Sequence, residues 1–182
     1  MLELALHILD IAENSVRARA RKVTIEVTED SARDLLTIAI EDDGRGMNPT
    51  ALDRALDPFY TTKKVRNVGL GLPLLAKAAE QAGGRLAIRS EEGVGTRLEV
   101  EFRLSHIDRQ PLGDVAGVLV ALIAGNPDVD FIYRHCCNAR LFTCDTRDIR
   151  REIEDLPITQ REVLKFVRDY VRQGLKEIGT QA

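Results

Sequence analysis

Val68-Gly69-Leu70-Gly71-Leu72-Pro73-Leu74-Leu75 is the stretch that decides the fold. Two glycines one residue apart open an apolar segment whose spacing predicts a helix over 70–82, stopped by Gly83-Gly84. A basic run, Thr61-Thr62-Lys63-Lys64-Val65-Arg66-Asn67, stands just before it. Bare backbone N–H groups, a helix N-terminus and nearby cations suit an anionic phosphate chain. Taken alone, the run is a weak signal. No Gly-Lys-Ser/Thr follows, the third glycine of a dinucleotide fingerprint is missing, and a helix start of this kind is often only a turn.

Outward from that run, the pattern predicts alternating layers. Apolar Leu2, Leu6, Leu9 and Val16 recur at helical spacing and predict a helix over 2–19. Segments 23–28 and 36–41 alternate apolar with polar and predict a hairpin of strands around Asp30–Asp34. Asn48-Pro49 reads as the cap and first residue of a short helix. Two more strands, 85–90 and 96–104, turn through Glu91-Glu92-Gly93-Val94-Gly95. The second places Leu98, Val100, Phe102 and Leu104 on one face and Arg97, Glu99, Glu101 and Arg103 on the other. The fold class is α/β, a two-layer sandwich with helices on one face of a hairpin-built sheet.

A break at 105–111 divides this domain, residues 1–104, from a smaller α+β appendage, residues 105–182. The appendage reads as an apolar helix over 112–124, a hairpin of 130–137 with 141–144, and two charged helices. The last helix opens on Thr159-Gln160-Arg161-Glu162, a capping-box pattern.

At 182 residues the chain can bury roughly 70% of its unfolded surface, so a core forms without staples. Acids and bases are interspersed to a net charge of −3, which offers no basic stripe for nucleic acid and no basic amphipathic helix for a membrane. No apolar run approaches the roughly 18 residues of a membrane span. The N-terminus lacks the basic region and cleavage site of a secretory signal. Three cysteines, Cys136, Cys137 and Cys144, are an odd number late in the chain, and a reduced, cytoplasmic setting is expected. In an alternating strand Cys136 and Cys137 point to opposite faces, so ordinary packed or surface thiols are expected there rather than a metal site with His135.

Two further clusters carry chemistry. Asp42-Asp43-Gly44-Arg45-Gly46-Met47 closes the second strand. A strand-end carboxylate accepts a hydrogen bond from an exocyclic amine, and glycines let a flat base lie close, although an acidic turn before a helix reads the same way. The first helix carries a polar stripe, Glu3, His7, Asp10, Asn14, Arg17 and Arg21. Asp10 and Asn14 lie one turn apart, where an amide oxygen can bind magnesium and a carboxylate can orient or deprotonate a water. A plain solvent face explains the same stripe. His7 reads as a helix-surface histidine rather than a phosphate acceptor.

In order, then, the chain offers Asp-x-x-x-Asn on a helix, Asp-x-Gly-x-Gly after a strand, Pro-Phe-Tyr-Thr-Thr-Lys, Gly-Leu-Gly-Leu opening a helix and Gly-Val-Gly-Thr in a hairpin. Over residues 1–104 this set resembles the ATP-binding domain shared by DNA gyrase, heat-shock chaperones, mismatch-repair ATPases and sensor histidine kinases, the GHKL superfamily with its Bergerat fold. The resemblance implies ATP and Mg2+ as ligands, with Asn14 as the magnesium-binding residue. Asp10 falls where the ATPases place a water-activating glutamate, and Arg17 where kinases often use a lysine on the phosphates. Asp42 matches the adenine-reading aspartate, with Gly44, Gly46 and Met47 beneath the base. Phe59 starts the lid, Lys63 or Lys64 reaches the phosphates, Gly69, Leu70, Gly71 and Leu72 form the phosphate box, and Thr96 helps read the adenine.

Two departures stand out: the lid between Phe59 and Gly69 is short, and no phosphoacceptor module precedes the domain. The resemblance therefore implies either a protein kinase acting on a separate partner, like anti-sigma serine kinases or a detached histidine-kinase domain, or an ATP-gated switch whose appendage docks a partner. Including Leu112-Gly113-Asp114 and Ala124-Gly125-Asn126-Pro127-Asp128, the whole chain also looks like small ATP-binding proteins encoded near iron-only hydrogenases, which implies a regulated redox partner. Many relatives dimerise, so a homodimer is compatible with the resemblance.

Overall fold

The structure, a computed structural model, describes residues 3–55 and 71–180. The described elements are α1 (Leu4–Arg17), β1 (Lys22–Asp30), β2 (Leu35–Asp42), α2 (Pro49–Asp53), α3 (Gly71–Gln81), β3 (Arg85–Glu91) and β4 (Gly95–Arg103). They continue with α4 (Val115–Gly125), β5 (Asp130–Cys137), β6 (Arg140–Asp145), α5 (Thr146–Ile153) and α6 (Arg161–Ile178). Among the described residues six strands form one sheet in the order β3-β4-β2-β1-β5-β6. The pairs are antiparallel except β1 with β5, which run parallel in the register Lys22↔Asp130 to Glu29↔Cys137. The expected α/β sandwich is present, and the strands of segment 105–182 extend the same sheet.

Period-two alternation puts Val23, Ile25 and Val27 of β1, Leu36, Ile38 and Ile40 of β2, and Leu98, Val100 and Phe102 of β4 into the core. Burying each such side chain contributes about 1.5–3 kcal/mol. The opposite face is polar and laced with ion pairs. Arg97 reaches Glu41 at 2.7 Å and Glu99 at 3.5 Å, while Arg134 of β5 meets Glu26 of β1 at 3.1 Å. These partly exposed pairs mainly fix which face stays wet.

α1 and α3 pack on the sheet beside one another, and α4 lies between α1 and α6. α4 buries Val115, Ala116, Val118, Leu119, Val120, Leu122 and Ile123, so it is apolar nearly all round. It starts at Val115 rather than at 112, because Gly113 takes a φ of +82° and Asp114 caps the helix by accepting from the Gly117 N–H at 3.1 Å. The segment before α4 has a second task. Glu3 gives α1 no side-chain cap, and the Leu4 and Ala5 N–H groups donate instead to the carbonyls of Pro111 (2.9 Å) and Leu112 (2.8 Å).

Two local expectations need correction. His7 is 3% exposed, not on the surface, since the packing of α4 against α1 widens the buried face of the helix; burial also pushes its pKa down. The capping box at Thr159 does not form. The N-cap is Gln160, whose own N–H donates to the Pro157 carbonyl at 2.9 Å, and the helix starts one residue late for the Thr159–Glu162 pairing.

A polar network crosses the β1–β5 seam inside the core. Glu29 and His135 are 1% and 0% exposed, with His135 Nε2 2.7 Å from Glu29 Oε1 and His135 Nδ1 2.7 Å from the Tyr133 hydroxyl. Burial pushes the Tyr133 phenol far up, so it keeps its proton and donates to Nδ1; the Nε2–H then donates to Glu29. The Thr180 hydroxyl donates to the same carboxylate, tying the end of the described chain to β1. Cys136 is partly exposed, whereas Cys137 and Cys144 are buried; all three are free thiols.

Candidate functional site

Between α1, α3 and the ends of β2 and β4 lies a cavity of about 650 Å3, within the range of roughly 300–1,000 Å3 usual for small-molecule sites. Its walls are largely apolar, from Ile11, Ile40, Met47, Leu72, Ile88 and Leu98. Polar groups come from α1 (Asp10, Asn14, Ser15 and Arg17), from Asp42 at the end of β2, from Thr96 at the start of β4, and from Arg45, Asn48 and Glu92 in the adjoining loops.

The base-sized end is built by two adjacent aspartates with different tasks. Asp43 is structural: its Oδ1 accepts the N–H groups of Arg21 (2.8 Å) and Lys22 (2.9 Å) and fixes the turn into β1. Asp42 is 9% exposed and turned into the cavity. Its Oδ2 accepts from the Ser15 hydroxyl at 2.6 Å and its Oδ1 from the Gly44 N–H at 2.9 Å. Each oxygen thus has one donor from the chain and keeps capacity for another. Asp42 and Thr96 are direct register partners, so both functional groups sit at the same level of the sheet.

The loop after Asp42 is stapled on both sides. The Arg45 N–H donates to Ala18 O at 2.9 Å, and the Gly93 N–H donates to Arg45 O at 2.8 Å. Gly46 has a φ of +64°, and a Cβ there would lie 1.9 Å from the Glu91 carbonyl oxygen, so only glycine lets the loop press against the β3–β4 turn. Asn48 caps α2 by accepting from the Ala51 N–H at 2.9 Å, as the Asn48-Pro49 pair predicts.

At the other end, the Asp10 carboxylate lies against the first described residue of α3. A Cβ on Gly71 would stand 1.9 Å from Asp10 Oδ2. An acidic group there is favoured by the positive end of the helix dipole. Asn14 Oδ1 accepts from Arg17 Nη1 at 2.7 Å, and Arg17 Nη2 donates to Glu13 at 2.5 Å. Among the described residues no cluster of three His, Cys, Asp or Glu side chains is placed to hold a metal. The oxygen donors of Asn14 and Asp10 nevertheless fit Mg2+, which binds few protein ligands and completes its shell with phosphate oxygens and water.

Of the residues singled out in the sequence, Asp10, Asn14, Arg17, Asp42, Gly46, Met47, Gly71, Leu72 and Thr96 line this one cavity, and Gly44 adjoins it through its bond to Asp42. Phe59, Lys63, Lys64, Gly69 and Leu70 lie outside the described residues. Sequence reasoning missed Ser15 and Ser90. Ser15 left a signal: it falls on the buried stripe Leu4, Ile8, Ile11, Ser15, where a hydroxyl needs a partner. Ser90, in a strand whose residues alternate only between exposed and half-buried, left none.

Residues 2–106 match the family described as "Histidine kinase-, DNA gyrase B-, and HSP90-like ATPase". The chain belongs to that family, and this part of it is an ATP-binding domain of the histidine-kinase type. Among particular relatives, Sensor histidine kinase ZraS of Salmonella typhimurium is 35% identical over 89 residues, 48% of this chain and 19% of that protein. Sporulation kinase E of Bacillus subtilis is 42% identical over 74 residues, 41% of this chain and 10% of that protein. The chain thus spans less than a quarter of the curated relatives it matches. A solved structure, the N-terminal domain of a DNA repair protein, superposes with a TM-score of 0.55 at 13% identity, covering 80% of this chain and 52% of that one; the likeness is one of fold. No helix among the described residues is long and apolar enough to cross a membrane.

Proposed function

We propose that this chain binds Mg-ATP in the α1–α3 cavity and transfers the γ-phosphoryl group to a side chain of a separate protein. The observation that supports this reading is the placement of Asp10 and Asn14 one turn apart on a single cavity wall, with the Asp10 carboxylate against Gly71. Asp42 takes the adenine amine, Asn14 holds the metal, and Arg17 turns from Asn14 to the phosphates. Bound Mg2+ supplies charge neutralisation on the triphosphate. Asp10 orients the partner's hydroxyl or imidazole and accepts its proton as the new bond to phosphorus forms and the bond to the ADP oxygen breaks. Segment 105–182 docks the partner. The setting is cytoplasmic.

A second reading, an ATP-gated switch with slow or no hydrolysis, draws on one contact. The carbonyls of Pro111 and Leu112 cap the helix that carries Asp10 and Asn14, so a shift of α1 on nucleotide binding would be felt at the start of the C-terminal segment. Incubation with γ-labelled Mg-ATP, with and without host proteins, separates the two. Label on a partner supports the kinase. Label retained on ATP, with partner affinity altered by nucleotide, supports the switch; free phosphate alone marks a simple ATPase.

A further inference from the structure

Ser90 stands behind the cavity on β3, directly opposite Thr96 of β4. Its Oγ takes part in three short contacts. It accepts the Met47 N–H at 2.8 Å, lies 3.0 Å from the Gly95 carbonyl oxygen, and lies 2.9 Å from Thr96 Oγ1. A serine hydroxyl has one proton and two lone pairs. A carbonyl oxygen only accepts, so the Ser90 proton goes to Gly95. One lone pair takes the Met47 N–H, and the contact with Thr96 closes only if the Thr96 hydroxyl donates into the other. The Thr96 proton is therefore held away from the cavity, and its oxygen meets a ligand as an acceptor.

From this satisfied triad we infer that Ser90 is a positioning residue for base selection: by holding the Thr96 proton, it makes the base end of the cavity a set of acceptors, Asp42 and Thr96. The inference rests on the reading of the cavity as an ATP site. A purine with a 6-amino group brings a donor to those acceptors. A purine with a 6-oxo group brings at position 6 an acceptor that finds no donor from either side chain, and its N1–H is the one donor it offers along that edge. The selectivity of the site is thus fixed partly by a residue outside the cavity lining, and through it the Asp42 loop, the β3–β4 turn and the cavity wall are held in one arrangement.

The test compares ATP with inosine triphosphate by calorimetry in the wild-type protein, Ser90→Ala and Ser90→Thr. Removing the hydroxyl frees the Thr96 proton to meet a 6-oxo group, so the ATP preference falls about fivefold or more in Ser90→Ala, the order of one neutral hydrogen bond. Ser90→Thr keeps the hydroxyl and the wild-type preference. A Ser90→Ala protein that binds ATP with an unchanged preference overturns the inference. A wild-type protein that binds neither nucleotide overturns the ATP reading instead. Neutron diffraction from deuterium-exchanged wild-type crystals checks the proton itself, whatever the variants do: deuterium on Thr96 Oγ1 directed at Ser90 is the expected result, and deuterium on Ser90 directed at Thr96 overturns it.

Discussion

Arg17 and Asn14 hold one another: the guanidinium donates to the Asn14 amide oxygen at 2.7 Å, the same atom that the metal reading requires. Two cations on one amide oxygen repel, so magnesium bound at Asn14 would release Arg17 toward the phosphates. The two residues therefore have separable signatures. Asn14→Ala removes the gain in ATP affinity that added Mg2+ gives. Arg17→Ala weakens ATP about tenfold when Mg2+ is present, as for the loss of a charge-assisted contact, and has little effect once a chelator removes the metal. Titrations with and without a chelator read both.

Gly71 and Asp10 compete for one volume. A methyl group at position 71 displaces the Asp10 carboxylate, which stands 1.9 Å from where the Cβ would lie. Asp10→Asn is thus expected to retain ATP affinity within about fivefold and to reduce phosphoryl transfer or release by about a hundredfold, in the range of general-base loss, whereas Gly71→Ala, which also alters the phosphate box, lowers both affinity and turnover. Turnover that is equal in all three proteins would remove Asp10 from the chemistry.

The buried pair of Glu29 and His135 contributes to stability rather than to the site. His135→Leu removes the Nε2–H donor from buried Glu29 and leaves the Thr180 hydroxyl on it, and the expected loss is about 1.5–3 kcal/mol in urea unfolding. ATP affinity measured well below the unfolding transition stays unchanged, because neither residue borders the cavity.

The thiols give the pH dependence. Burial pushes the Cys144 thiol up to about 12 and raises Cys137 as well. A folded-state pKa above the unfolded value near 9 means that the unfolded chain loses its proton first. Stability from Cys144 is then complete below pH 9 and is lost progressively as pH rises from 9 toward 12. At pH 8 a thiol reagent should modify Cys136 readily and reach Cys137 and Cys144 only on unfolding. Cys144→Ala flattens the alkaline decline.

The strand alternation of Leu98, Val100 and Phe102, the cap at Asn48 and the gathering of Asp10, Asn14, Asp42 and Thr96 were legible because each follows from local period, local capping or an ordered motif set. The pairing of β1 with β5 was not. Glu26 and Arg134 are 108 positions apart, and nothing in either strand's own pattern names its neighbour. The same long-range packing explains His7, which sits on the flank of an apolar stripe and is buried because α4 arrives from far along the chain. Which of two adjacent aspartates faces the cavity also needed the structure, since backbone N–H groups of Arg21 and Lys22 claim Asp43.

The central claim is that Asp42 reads the adenine of ATP in this cavity. Calorimetric titration of Mg-ATP into the wild-type protein and into Asp42→Ala tests it most directly. Saturable, one-to-one binding in the wild type and its loss in Asp42→Ala, with the folded spectrum kept, is the predicted result. Equal affinity in the two proteins would contradict it.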